Sequence, residues 1–126
     1  MEFLSTIKEQ LPDWAKDIRL NLDSVIARST LSQEDALGAA LSAAFAAGSP
    51  FLVDAFKGAL SEGDANAALT AAALMGMNNT WYPYVEMTGD AQLKSLPAQL
   101  RMNAYATHGG VDKKRFELFA LTASII

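Results

Sequence analysis

Residues that cap helices recur along this chain, each followed by a run of helix formers, and no other feature limits its fold so strongly. Ser32-Gln33-Glu34-Asp35 places a hydroxyl on the orphan amides of a helix and acids in its positive first turn. Ser49-Pro50 opens the next helix, since serine caps well and proline at the first helical position gives up no hydrogen bond. Asp112 caps a last one. Apolar residues return at helical spacing from one end to the other, and no stretch alternates apolar with polar residues over the length a strand needs. The pattern predicts an all-α chain of about seven or eight helices with no sheet. With 126 residues, 51% of them hydrophobic, a single domain spanning 1–126 with a real core is expected, and disorder is excluded as the main state.

Phe3, Leu4, Ile7 and Leu11 make an amphipathic first helix that Pro12 closes. From Asp13 to about Ala27, Trp14, Ile18, Leu22, Val25 and Ile26 keep helical spacing and form a second apolar stripe. Residues 36–47, built of Ala, Leu, Gly and Ser around Phe45, predict a thin helix made for close approach, which Gly48 ends. Phe51, Leu52, Ala55, Phe56 and Leu60 form the stripe of the next helix. Gly63-Asp64 is expected to separate it from a long segment, residues 65–87, where Pro83 should break or kink the helix near Trp81. After Gly89, a short turn carrying Leu93, Leu96 and Pro97 leads into a helix with Leu100, Met102, Ala104 and Tyr105, and His108-Gly109-Gly110 reads as a loop. In the last helix Phe116, Phe119, Ala120, Ala123 and Ile126 make one apolar face.

Ten Lys+Arg against fourteen Asp+Glu leave a net charge of −4, which gives a phosphate backbone no favourable field and argues against nucleic acid as a partner. There is no cysteine, so a disulfide framework, a Cys-based zinc site and thiol chemistry within these residues are all excluded. The first ten residues carry charges throughout, and the apolar stretches are broken by Gly, Ser or Thr, so a soluble cytoplasmic protein with no membrane contact is expected. No nucleophilic triad, phosphate loop or metal site is present, and no cofactor is implied. His108, beside two glycines, is either a general base or a loop residue. The cluster from Met75 through Tyr82 is either ordinary core packing or the lining of an apolar ligand pocket or subunit contact. Glu117 is the charged residue to single out, because Phe116 and Leu118 flank it and its helical neighbours at 120, 121 and 124 are Ala, Leu and Ser. It is either an exposed carboxylate paired with Lys113 or Lys114, or a partly buried one that moves protons near neutrality.

Four ordered segments carry a resemblance: residues 11–22 (Leu11-Pro12-Asp13-Trp14 through Leu22), 72–79 (Ala72-Ala73-Leu74-Met75-Gly76-Met77-Asn78-Asn79) followed by aromatics, 100–103 (Leu100-Arg101-Met102-Asn103), and Phe116-Glu117-Leu118. Together they make the chain resemble the N-terminal two-thirds of the alkyl hydroperoxide reductase D (AhpD) family, in the carboxymuconolactone decarboxylase-like superfamily. The resemblance implies an all-helical, usually trimeric antioxidant protein whose redox work is done by a Cys-x-x-Cys pair with a nearby His. It also implies two partners, since that dithiol passes electrons from a lipoylated acyltransferase to the peroxiredoxin AhpC. The family's Glu in the Phe-Glu-Leu motif serves the dithiol's proton relay, which maps onto Glu117 as the catalytic residue expected here. The Cys-x-x-Cys segment would follow Ser124-Ile125-Ile126 directly, so the expectation is a chain truncated in the active-site helix and inactive alone. The alternative is a non-catalytic helical module for oligomerisation or apolar-ligand binding.

Overall fold

Five side-chain caps set the helix starts in a computed structural model that describes residues 1–126. The hydroxyls of Ser32, Ser49 and Ser61 accept from the amides of Asp35, Leu52 and Asp64, at 3.2, 3.4 and 3.2 Å. Asp90 accepts from the amides of Gln92 and Leu93, and Asp112 from that of Arg115 at 2.9 Å. Each bond satisfies a donor that the first helical turn leaves free. Eight α-helices and no strand result: α1 (Glu2–Glu9), α2 (Lys16–Leu22), α3 (Gln33–Ala46), α4 (Pro50–Gly58), α5 (Glu62–Thr88), α6 (Ala91–Ser95), α7 (Asn103–Ala106) and α8 (Lys113–Ile125). The fold is all-α, as the caps predict.

Helices α3, α5 and α8 pack on one another to make the core. Small residues permit this closeness. Ala67, Ala68 and Ala71 of α5 are fully buried, and a Cβ on Gly38 of α3 would meet the Phe119 ring of α8 at 2.4 Å. Ser42, buried in the same contact, donates its hydroxyl to the Phe119 carbonyl at 2.7 Å, so the core holds a satisfied polar bond between α3 and α8. At the other end, the starts of the three helices are tied together by Arg115. Its Nε donates to Asp35 at 2.6 Å and its Nη1 to Asp64 at 2.9 Å, while its guanidinium lies 5.7 Å from the Phe119 ring centre. The two carboxylates hold the Arg115 guanidinium well above its ordinary value.

Gly63 and Asp64 do not separate helices; Ser61 caps α5 at Glu62, which places both residues in its first turn and aims Asp64 at Arg115. Pro83 does not break helix α5, which runs on to Thr88 and ends on left-handed Gly89. Proline removes one hydrogen bond to the residue four before it, and both Asn79 and Pro83 lie on the exposed side of the helix. Leu100 and Met102 lie outside any helix: Pro97 forces Leu96 into extended backbone, Gln99 takes a positive φ, and α7 begins only at Asn103. The stripe from Trp14 to Ile26 faces inward only in part: Trp14, at 86%, Ile18 and Val25 are exposed, while Leu22 is half-buried against the core and Ile26 is buried. Trp14 sits in a 3₁₀ turn (Asp13–Ala15) and Val25 in a π turn (Asp23–Ala27), so one helical spacing does not span the segment, and Ala15 is buried in place of Trp14. Phe51 and Ile126 are exposed as well.

Candidate functional site: the Glu117 cleft

Glu117 lies in the second turn of α8, between buried Phe116 and half-buried Leu118, and is itself half-buried. Its partner is Tyr105 of α7, whose hydroxyl donates to Glu117 Oε1. Neither Lys113 nor Lys114 pairs with it; the cation of that helical turn with carboxylate partners is Arg115, turned toward Asp35 and Asp64. The carboxylate acceptor, more than burial, pushes the Tyr105 phenol up from its ordinary value, so Tyr105 keeps its proton across the neutral range.

Tyr105 reaches Glu117 because its ring is braced. It lies edge-on to Phe116 at 5.7 Å between centroids and to His108 at 6.2 Å. His108 therefore supports an aromatic cluster, whose third side is its 6.1 Å contact with Phe116. Only glycine fits at the next position, since Gly109 has φ +62° and a Cβ there would sit 2.9 Å from the Ala67 Cα of α5. Glu117 and Tyr105 share a cleft of about 520 Å³ with Met75 and Asn78 of α5, Met102, Ala106 and Ala120. Glu117 is the one carboxylate lining it, and no cluster of His, Cys, Asp and Glu in the chain is arranged to hold a metal ion.

Across α5 runs a second, apolar groove of about 710 Å³, lined by Phe45, Ala73, Gly76, Met77, Trp81 and Tyr84 among others. The Met75–Tyr82 cluster lies mostly outside the core: Met75 packs half-buried against it and faces the Glu117 cleft, Met77 and Trp81 line the groove, and Tyr82 is exposed. Leu74 is the last buried residue of α5. Sequence reasoning missed Tyr105, which lies twelve residues from Glu117 on another helix with no spacing rule to join them.

No protein-family model matches the chain. Among curated proteins, the alkyl hydroperoxide reductase AhpD of Rhodospirillum centenum is 42% identical over 127 residues, covering 98% of this chain and 68% of its own length. AhpD of a Bradyrhizobium species is also 42% identical, with 98% and 70% covered, and AhpD of Coxiella burnetii is 41% identical, with 98% and 73% covered. This chain belongs to the AhpD family. It is an alkyl hydroperoxide reductase-type sequence, an oxidoreductase by family, whose 126 residues contain no cysteine and hence no redox-active dithiol. No helix in it is long and apolar enough to cross a membrane.

Proposed function

We propose that Glu117 is the proton-relay carboxylate of an AhpD-type thiol site, and that residues 1–126 form one domain carrying that half of the site. The observation that carries the reading is the setting of Glu117: half-buried in the wall of a cleft, held by a phenol and paired with no lysine. A group that moves a thiol proton needs a carboxylate oxygen open to a sheltered space, and Oε2 makes no hydrogen bond within the protein. The family resemblance supplies the other half. As a Cys-x-x-Cys pair closes to a disulfide it yields two electrons and two protons; an alkyl hydroperoxide takes them while its O–O bond breaks, leaving alcohol and water. Glu117 takes a thiol proton, because the thiolate is the nucleophile, and passes it toward the departing oxygen. No side chain among the 126 residues cycles between dithiol and disulfide, so these residues alone should reduce no peroxide.

The family reading also assigns the partners, the peroxiredoxin AhpC and a lipoylated acyltransferase, and a cytoplasmic setting that keeps a dithiol reduced. The family reading also implies a trimer, and self-association is supported by the outer half of α5, where Met77, Tyr82, Tyr84 and Met87 stand exposed beyond the last buried residue. The apolar groove favours a second reading, a non-catalytic module that binds an apolar ligand or another helix. The two separate in a chain continued beyond Ile126 with the family's Cys-x-x-Cys segment. There Glu117→Gln should slow dithiol oxidation by peroxide about ten- to a hundredfold near neutral pH. An unchanged rate from pH 6 to 8 would remove Glu117 from the relay.

A further inference from the structure

Tyr105 is the hydrogen-bond partner that the protein gives Glu117, and its surroundings fix where its hydroxyl points. Phe116, on one edge of its ring, is fully buried and cannot recede. His108, on another edge, has a φ of +52° and belongs to a turn that Gly109 wedges against the backbone of α5. The phenol is therefore held from two sides by parts of the molecule anchored to the core, and it occupies Oε1 of Glu117 while Oε2 is left without a protein partner.

We propose that Tyr105 is the positioning residue of the Glu117 site: it pins one carboxylate oxygen and leaves Oε2 as the single oxygen that exchanges a proton, or accepts from an incoming donor, on the cleft side. The proposal rests on the relay reading of Glu117. Tyr105 is not a second acid in that relay, since a phenol that donates to a carboxylate holds its own proton more tightly. The titratable groups facing it are Glu117 from α8 and His108 from the turn; α5 contributes the uncharged Met75 and Asn78 to the same cleft. A glutamate side chain without that bond would change among the staggered rotamers of its CH₂ bonds and offer its oxygens at varying places. One fixed by Tyr105 offers the same atom each time, and geometry held in advance is what proton transfer to a placed thiol rewards.

The test uses the 126-residue chain, in which no thiol takes part. Three-bond couplings along the Glu117 side chain should report a single rotamer in the wild type. In Tyr105→Phe, which keeps the ring and both edge contacts, they should report averaging over several. A single rotamer retained in Tyr105→Phe overturns the proposal. A second variant guards against misfolding of the first. In an ultraviolet titration of tyrosinate, one of the three tyrosines should ionise later than exposed Tyr82 and Tyr84, and Glu117→Gln should bring that late ionisation back toward the other two. Three tyrosines ionising together in the wild type would show that Tyr105 does not hold Glu117, and would overturn it equally. Both readings are independent of sulfur, so their failure leaves the relay to be judged by the rate of Glu117→Gln in the cysteine-bearing chain.

Discussion

Gly38 and Gly76 are both helical glycines, yet one methyl group should act on them in opposite directions. At Gly38 a Cβ would press into the Phe119 ring at 2.4 Å, with the buried core behind it, whereas at Gly76 nothing lies within 4 Å. Replacing a helical glycine by alanine gains about 1 kcal/mol from propensity. Overpacking a tight core loses about 1–3 kcal/mol. Gly38→Ala should therefore lower the urea midpoint, and Gly76→Ala should raise it by the equivalent of about 0.5–1 kcal/mol. A Gly38→Ala midpoint at or above the wild type would show that α3 and α8 are looser than the Ser42 to Phe119 bond implies. The half-buried setting of Glu117 was legible because its helical neighbours are apolar. Its bond to Tyr105 was not, since it depends on where α7 lies, and residues 96–102 had to be read as non-helical before Tyr105 could be placed.

Among elements, the caps at Ser32, Ser49 and Asp112 were the most readable feature, because a cap is a local event written in four residues, whereas the cap at Ser61 was hidden by the Gly63 that follows it. What the caps do jointly was invisible. Asp35, Asp64 and Arg115 each stand at the third position of their helix, and packing brings these three together from positions as far apart as 80 residues. Arg115→Met should leave two part-buried carboxylates without their cation and lower stability by about 1–3 kcal/mol, measured by urea unfolding. A loss smaller than about 0.5 kcal/mol would reduce the cluster to an ordinary surface pair. A weaker tie joins α1 to the π turn, where the Lys8 ammonium beside Asp23 holds its carboxyl below the ordinary 3.8. A depressed carboxyl adds stability above its unfolded value and loses it as pH falls through the folded one. Lys8→Met should therefore lessen the loss of stability below about pH 4, followed by circular dichroism. An acid limb as steep as that of the wild type would place the acid sensitivity elsewhere.

For the whole molecule, the periodicity that predicted helices overstated how much of each helix is buried. Trp14, Ile18 and Val25 keep the spacing of a core stripe, and the outer half of α5 is rich in Met and aromatic residues, yet both lie on the surface. Spacing reports which residues share a face, while burial depends on whether another element covers it. The exposed half of α5 should therefore drive self-association. Light scattering should find a mass near three chains for the wild type, and Met77→Asp with Tyr84→Asp should lower it toward one. A monodisperse monomer at micromolar concentration would set the trimer aside. The cleft beside Glu117 and Tyr105 should face the family's dithiol, and a crystal structure of the chain continued through a Cys-x-x-Cys segment would show whether it does. The prediction is a cysteine sulfur within hydrogen-bond reach of Glu117 Oε2, directly or through one water. Sulfurs placed away from this cleft, with Glu117 facing only solvent, would contradict it.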